Sequence, residues 1–160
     1  HLPQAAQTPN RENLAAMLVA AHLAGRAISI TTTTAPHALS YGLTSELGLP
    51  HGRAVGLLFG EIFEASRTAS AEAFHGAPTQ EQLQERLKRI AQIWKQKPED
   101  FASWWHSFLF ETLRITIPKS NLDGALIDQL AAEVNTARLS NHPCQFNTDQ
   151  IKGFYAKLKG

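Results

Sequence analysis

TTTTAPHALSYGLTSELGLPHGRAV, residues Thr31–Val55, decides how this chain is read. Four consecutive threonines stop the helix before it, because β-branched side chains lose rotamer freedom in a helix and their hydroxyls compete for the backbone. From His37 to about Leu47 the residues return to helical spacing, and Gly48 with Pro50 closes that helix. His51-Gly52 opens another, in which Val55, Leu58, Phe59, Ile62 and Phe63 form one apolar stripe that fades by about Arg67. If the two helices fold back on each other across a shared cleft, His37 and His51 converge.

The flanking sequence is helical too. Asn10 suits an N-cap, and Leu14, Met17, Leu18, Ala21, Ala24, Gly25 and Ile28 recur at spacings of three and four through about Ser29. Ala24-Gly25 would let another backbone approach that face. Downstream, Thr79 with Gln82 reads as a capping box, and Leu83, Leu87, Ile90 and Trp94 line one face of a helix whose other faces carry Glu81, Glu85, Lys88 and Arg89. Pro98 suits a first helical position, followed by Phe101, Trp105, Phe108 and Thr112. Ile115-Thr116-Ile117-Pro118 reads as an extended connection, and Leu126, Ile127, Leu130, Ala131 and Val134 as a further helix. Asn147 with Gln150 is a second capping box, with Phe146 and Ile151 at staple positions before a last helix ending near Gly160. Seven helical segments and no alternating strand predict an all-α fold, an antiparallel bundle with short connections forming a single domain over residues 1–160.

Composition narrows the function classes. Of the residues 43% are hydrophobic and 18% charged, enough to build a core and too few charges for a disordered tail. A formal charge of +1 offers no footprint for nucleic acid or anionic lipid. The longest apolar runs break well short of the ~20 residues that span a bilayer, so no membrane is expected. One cysteine, Cys144, forms no internal disulfide framework and fits a cytoplasmic protein. The first residues, His1-Leu2-Pro3, carry no initiator methionine and no charged-then-apolar leader.

Neutral imidazole is a standard ligand for zinc and for Fe(II). Either histidine alone is more simply a hydrogen-bonded residue, but the letters around the pair change the weighting. Ala35-Pro36-His37-Ala38 with Tyr41, then Gly48-Leu49-Pro50-His51-Gly52 with Ala54-Val55, resembles the metal-binding segment of the iron-containing (group III) alcohol dehydrogenases. The helix bearing Ala24-Gly25 and the late Asn141-His142-Pro143 stretch resemble that family in the same order. The resemblance implies that His37 and His51 are metal ligands, for Fe(II) or Zn(II), in a domain whose complete enzyme uses NAD(P)H to interconvert an alcohol and an aldehyde. The family often has a second histidine four residues after the first ligand. Here that position is Tyr41, the candidate substrate contact. Tyr41–Ser45 also resembles the branch acting on phosphonoacetaldehyde.

The family's other two ligands, an Asp and a His four residues apart, belong upstream of this segment. No aspartate precedes Asp100, and no G-x-G-x-x-G occurs to cradle a pyrophosphate. The expectation is a C-terminal helical domain without its nucleotide-binding half, inactive alone, whose uncovered apolar face near His37 and His51 drives self-association or homodimerisation. Two alternatives stay open. One is a domain similar to dehydroquinate synthase, using zinc and NAD, in which His-Gly-x-Ala-Val also recurs; the other is a helical interaction module retaining the motif as a relic.

Other residues carry simpler readings. His22 suits a helix surface, and His75 beside Gly76 a solvated loop. Trp104-Trp105-His106 reads as core rather than a stacking platform, and Cys144 as a structural thiol. Glu61 and Glu64 suit a charged helix face, and Ser40, Thr44 and Ser45 ordinary helical polar positions.

Overall fold

Helix boundaries follow the capping residues in the computed structural model, which describes residues 1–74, 77–117 and 122–159. Asn10 accepts from the Asn13 backbone N–H at 2.9 Å to start α2 (Arg11–Ile30), which follows the short α1 (Leu2–Gln7). Thr79 and Gln82 exchange both bonds of a capping box at the start of α5 (Gln80–Ile93). Asn147 and Gln150 do the same before α9 (Thr148–Ala156), with Phe146 and Ile151 buried beside the box.

Between these lie α3 (Ala35–Leu47), α4 (His51–Arg67), α6 (Phe101–Ser107), α7 (Gly124–Ala132) and α8 (Thr136–Leu139). The seven anticipated helices are present, joined by the short α1 and α8, with no strand among the described residues. The fold is all-α, as expected. Two boundaries differ from the sequence reading. α3 begins at Ala35 rather than His37, with Pro36 in its first turn where a missing N–H costs no hydrogen bond. Pro98 lies in a turn ahead of α6, whose own continuation, Phe108–Thr112, widens into a π-turn in which the Leu113 N–H donates to the Phe108 carbonyl at 3.0 Å. The expectations for His75 and Pro118 lie outside the described residues.

α3 and α4 form the centre. Gly48 takes the left-handed φ of +63° that ends α3, and the chain reverses within three residues into α4. Leu39, Leu43, Leu58, Ile62 and Phe63 are buried between them and their neighbours. α6 lies on α4, where the Trp105 indole N–H donates to the Gly56 carbonyl at 2.8 Å and Phe101 stacks within 4.3 Å of Phe63. Trp104 and Trp105 are half-buried, packed against the core beside Trp94 and Phe108, while His106 is exposed, so the expected core position is met only in part. α7 approaches α3 at Gly42, where a Cβ would stand 2.5 Å from Leu130 Cδ2. The buried Tyr155 of α9 donates its hydroxyl to the Leu39 carbonyl at 2.8 Å, fixing α9 to α3.

α2 departs from the sequence reading. Its apolar stripe exists, yet none of its residues is buried: Leu14, Leu18, Val19, Leu23, Ile28 and Ile30 are all at least half exposed. Nothing approaches Gly25 within 4 Å, so the close backbone contact anticipated there is not made among the described residues. Among the described residues the uncovered apolar face is therefore centred on α2 rather than on His37 and His51, near which Tyr41 alone is a large exposed apolar side chain. α2 is also, by length and composition, apolar enough to cross a bilayer, which corrects the reading that the apolar runs fall short. His22, Arg26 and Ser29 interrupt its apolar sequence and hide this in a search for unbroken apolar runs.

Candidate metal centre

The α3–α4 reversal places two helix starts side by side. His37 occupies the first turn of α3, half-buried, and His51 is the first residue of α4, exposed. Their ring centroids are 5.4 Å apart with planes inclined by 60°. With metal–nitrogen bonds of about 2.1 Å and a tetrahedral angle, the ring centroids of two imidazoles on one cation lie about 5.3 Å apart, so the spacing fits a shared ion. Burial and the neighbouring His51 charge, in that order, lower the His37 pKa below 6.5. At neutral pH His37 therefore keeps a free lone pair.

Ser40 sets the other ring. Fully buried one turn after His37, it donates its hydroxyl proton to the His37 carbonyl at 2.9 Å. Its oxygen lies 3.4 Å from His51 Nδ1. Because the single hydroxyl proton is committed, the contact runs from Nδ1–H to Oγ, and His51 Nε2 is left as the available donor atom. This is how an imidazole ligand is commonly oriented by an outer partner. Ser40 thus differs from its sequence reading as an ordinary helical polar residue; its position three residues after His37 was the only signal.

Tyr41 stands over His51, with centroids 5.3 Å apart and planes within 30°. The Arg138 guanidinium, from α8, lies 4.8 Å above the Tyr41 ring and donates to its hydroxyl. Nothing in the sequence pointed to Arg138, which lies 97 residues further along the chain. A cleft of about 570 Å³ opens beside this stack between α3, α7 and α8, lined in part by Tyr41, Gly42, Thr44, Leu130 and Arg138.

The arrangement supplies two imidazole nitrogens, an aromatic wall and a cation beside an open cleft. Among the described residues no third histidine, cysteine or carboxylate joins the pair. Two imidazoles make half of a four-coordinate set and bring no negative charge to offset a divalent ion. The remaining candidates fall where they were placed: His22 is exposed on α2, Glu61 pairs with Lys157 and Glu64 with Arg67, and burial pushes the Cys144 thiol up from its ordinary value.

The model of the Fe-containing alcohol dehydrogenase family, C-terminal, matches residues 1–158. A phosphonoacetaldehyde reductase of Streptomyces viridochromogenes is 44% identical over 52 residues, a match covering 32% of this chain and 13% of that protein. No solved structure matches the chain. The family matched is the dehydrogenase one rather than that of dehydroquinate synthase.

Proposed function

The chain belongs to the Fe-containing alcohol dehydrogenase family, and on that footing we propose that it is the metal-bearing helical part of an NAD(P)H-dependent aldehyde reductase or alcohol dehydrogenase. His37 and His51 are the proposed ligands for Fe(II) or Zn(II). The observation that carries this is the 5.4 Å approach of the two rings, with Ser40 orienting one and burial keeping the other neutral. The other ligands and the nucleotide-binding half belong, on this proposal, to polypeptide outside these residues. The substrate proposed is a small aldehyde of the phosphonoacetaldehyde kind, in keeping with the similarity to the Streptomyces reductase.

A cation held there supplies Lewis acidity toward a carbonyl oxygen. What this chain contributes is positioning. The α3–α4 connection sets both imidazoles, Ser40 holds the His51 ring through Nδ1, and the stacked Tyr41 walls one side of the approach. Desolvation keeps His37 unprotonated, so competition from protons at that ligand begins only at a pH below its ordinary value.

Calorimetric titration of Zn(II) into the 160-residue chain tests the proposal. With two imidazole ligands and no carboxylate, the expected affinity is weaker than micromolar. His37→Ala or His51→Ala should abolish measurable binding, and Ser40→Ala should weaken it roughly ten- to a hundred-fold, the usual effect of removing an orienting partner. Zinc uptake unchanged in both histidine variants would leave the helical interaction module as the better reading.

A further inference from the structure

We infer that Arg138, held against Tyr41, is the seat for an anionic group on the substrate, and so selects aldehydes carrying a short oxyanion tail. The inference rests on the proposed reductase function and deepens it: the histidine pair receives the carbonyl end, and Arg138 the opposite end.

Three observations point the same way. First, the groups form a continuous row. His37 touches His51, His51 stacks on Tyr41, and Tyr41 carries the Arg138 guanidinium, so one aromatic ring separates the candidate cation ligands from a fixed positive charge. Tyr41 lines the cleft and neither histidine does, so a substrate seated on Arg138 would reach the pair past the edge of the Tyr41 ring. Second, the guanidinium is fixed without being neutralised. The Tyr41 hydroxyl accepts one of its N–H donors and the ring face holds it by cation–π attraction, while no carboxylate among the described residues pairs with it. Glu133 lines the same cleft, but it accepts instead from the Gln129 amide at 3.1 Å. A guanidinium has five N–H donors in a fixed fork, so Arg138 retains donors for a planar or tetrahedral oxyanion. Third, the cleft beside it is open and large enough for a small substrate, and Gly42 and Leu130 give it an apolar floor.

The position of Tyr41 gains a reason from this arrangement. A phenol there offers a face for stacking on His51 and a hydroxyl that orients Arg138.

Ethylphosphonate, propionate and propanol, titrated by calorimetry into the 160-residue chain, test the inference. Ethylphosphonate is expected to bind more tightly than propionate, and propanol not measurably. Arg138→Gln should weaken phosphonate binding roughly ten- to a hundred-fold, the range for losing hydrogen bonds to a charged partner. Arg138→Lys should retain part of it, as a point charge without the fork. Both substitutions lie on an exposed side chain, and an unchanged circular dichroism spectrum shows that each variant is folded. Propionate binding as tightly as ethylphosphonate, and equally dependent on Arg138, supports the seat and assigns it to carboxylates. Equal binding of propanol, or phosphonate binding indifferent to Arg138→Gln, overturns it. Zinc titration reads the histidine pair separately. An Arg138-dependent phosphonate site with no zinc response at His37 or His51 keeps this inference and removes the reductase reading. A normal zinc response with no phosphonate site does the reverse.

Discussion

Between pH 6.5 and about 4 the folded chain is expected to lose roughly 3 kcal/mol of stability through one residue, His142. Desolvation pulls its pKa from 6.5 to about 4. Its Nε2 lies 2.9 Å from Ser66 Oγ, and the Ser66 hydroxyl proton is already given to the Ile62 carbonyl at 2.6 Å. The ring therefore donates from Nε2–H and turns a bare Nδ1 inward, where that atom is shielded and has no partner. Protonating Nδ1 would place an unpaired charge in that position. The unfolded chain takes up the proton near pH 6.5 and the folded chain only near 4, so the contribution is complete above 6.5 and lost as the pH falls through 4. Urea unfolding across this window should show wild-type stability falling more steeply than that of His142→Gln, whose amide can still donate to Ser66. Parallel curves for the two proteins would assign the acid sensitivity to the carboxylates instead.

Replacing Phe63 with alanine is expected to cost about 3–5 kcal/mol, the usual range for emptying an aromatic site in a core. Phe63 is 1% exposed and packs against Phe101 at 4.3 Å and edge-on against Phe59 at 6.1 Å, so the change leaves a void where α4 meets α6. At roughly 2–4 °C per kcal/mol for a chain of this size, the melting temperature should fall by about 6–20 °C. Phe63→Leu, which refills most of the volume, should recover much of the loss. A Phe63→Ala protein melting within a degree or two of wild type would mean that the α4–α6 contact contributes little.

Much of this architecture was legible because its signals are local. The capping pairs Thr79–Gln82 and Asn147–Gln150 satisfy neighbouring backbone N–H groups within one turn, and Gly48 takes a backbone angle that few other residues tolerate. The sequence put His37 and His51 at two helix starts, but their approach is a tertiary fact: a tight turn alone sets the start of one helix beside the end of the helix before it, whereas here His51 lies against His37 and Ser40 in the first turns of α3. The α2 stripe was read correctly as a stripe, but periodicity shows that a face is apolar and says nothing of what covers it. Ser40 and Arg138 escaped for the same reason. A hydroxyl becomes an orienting group, and a guanidinium a wall of the cleft, only through contacts across the fold: Ser40 to His51 over the turn, and Arg138 to Tyr41 across most of the chain's length.

One measurement bears most directly on the paired imidazoles: side-chain nitrogen NMR of His37 and His51 during a Zn(II) titration. Shared coordination predicts that both rings shift together, saturating at one ion per chain, with His51 responding at Nε2 while its Nδ1 stays protonated against Ser40. Shifts confined to one ring, or two rings saturating at different zinc concentrations, would contradict a common cation and remove the metal-centre reading.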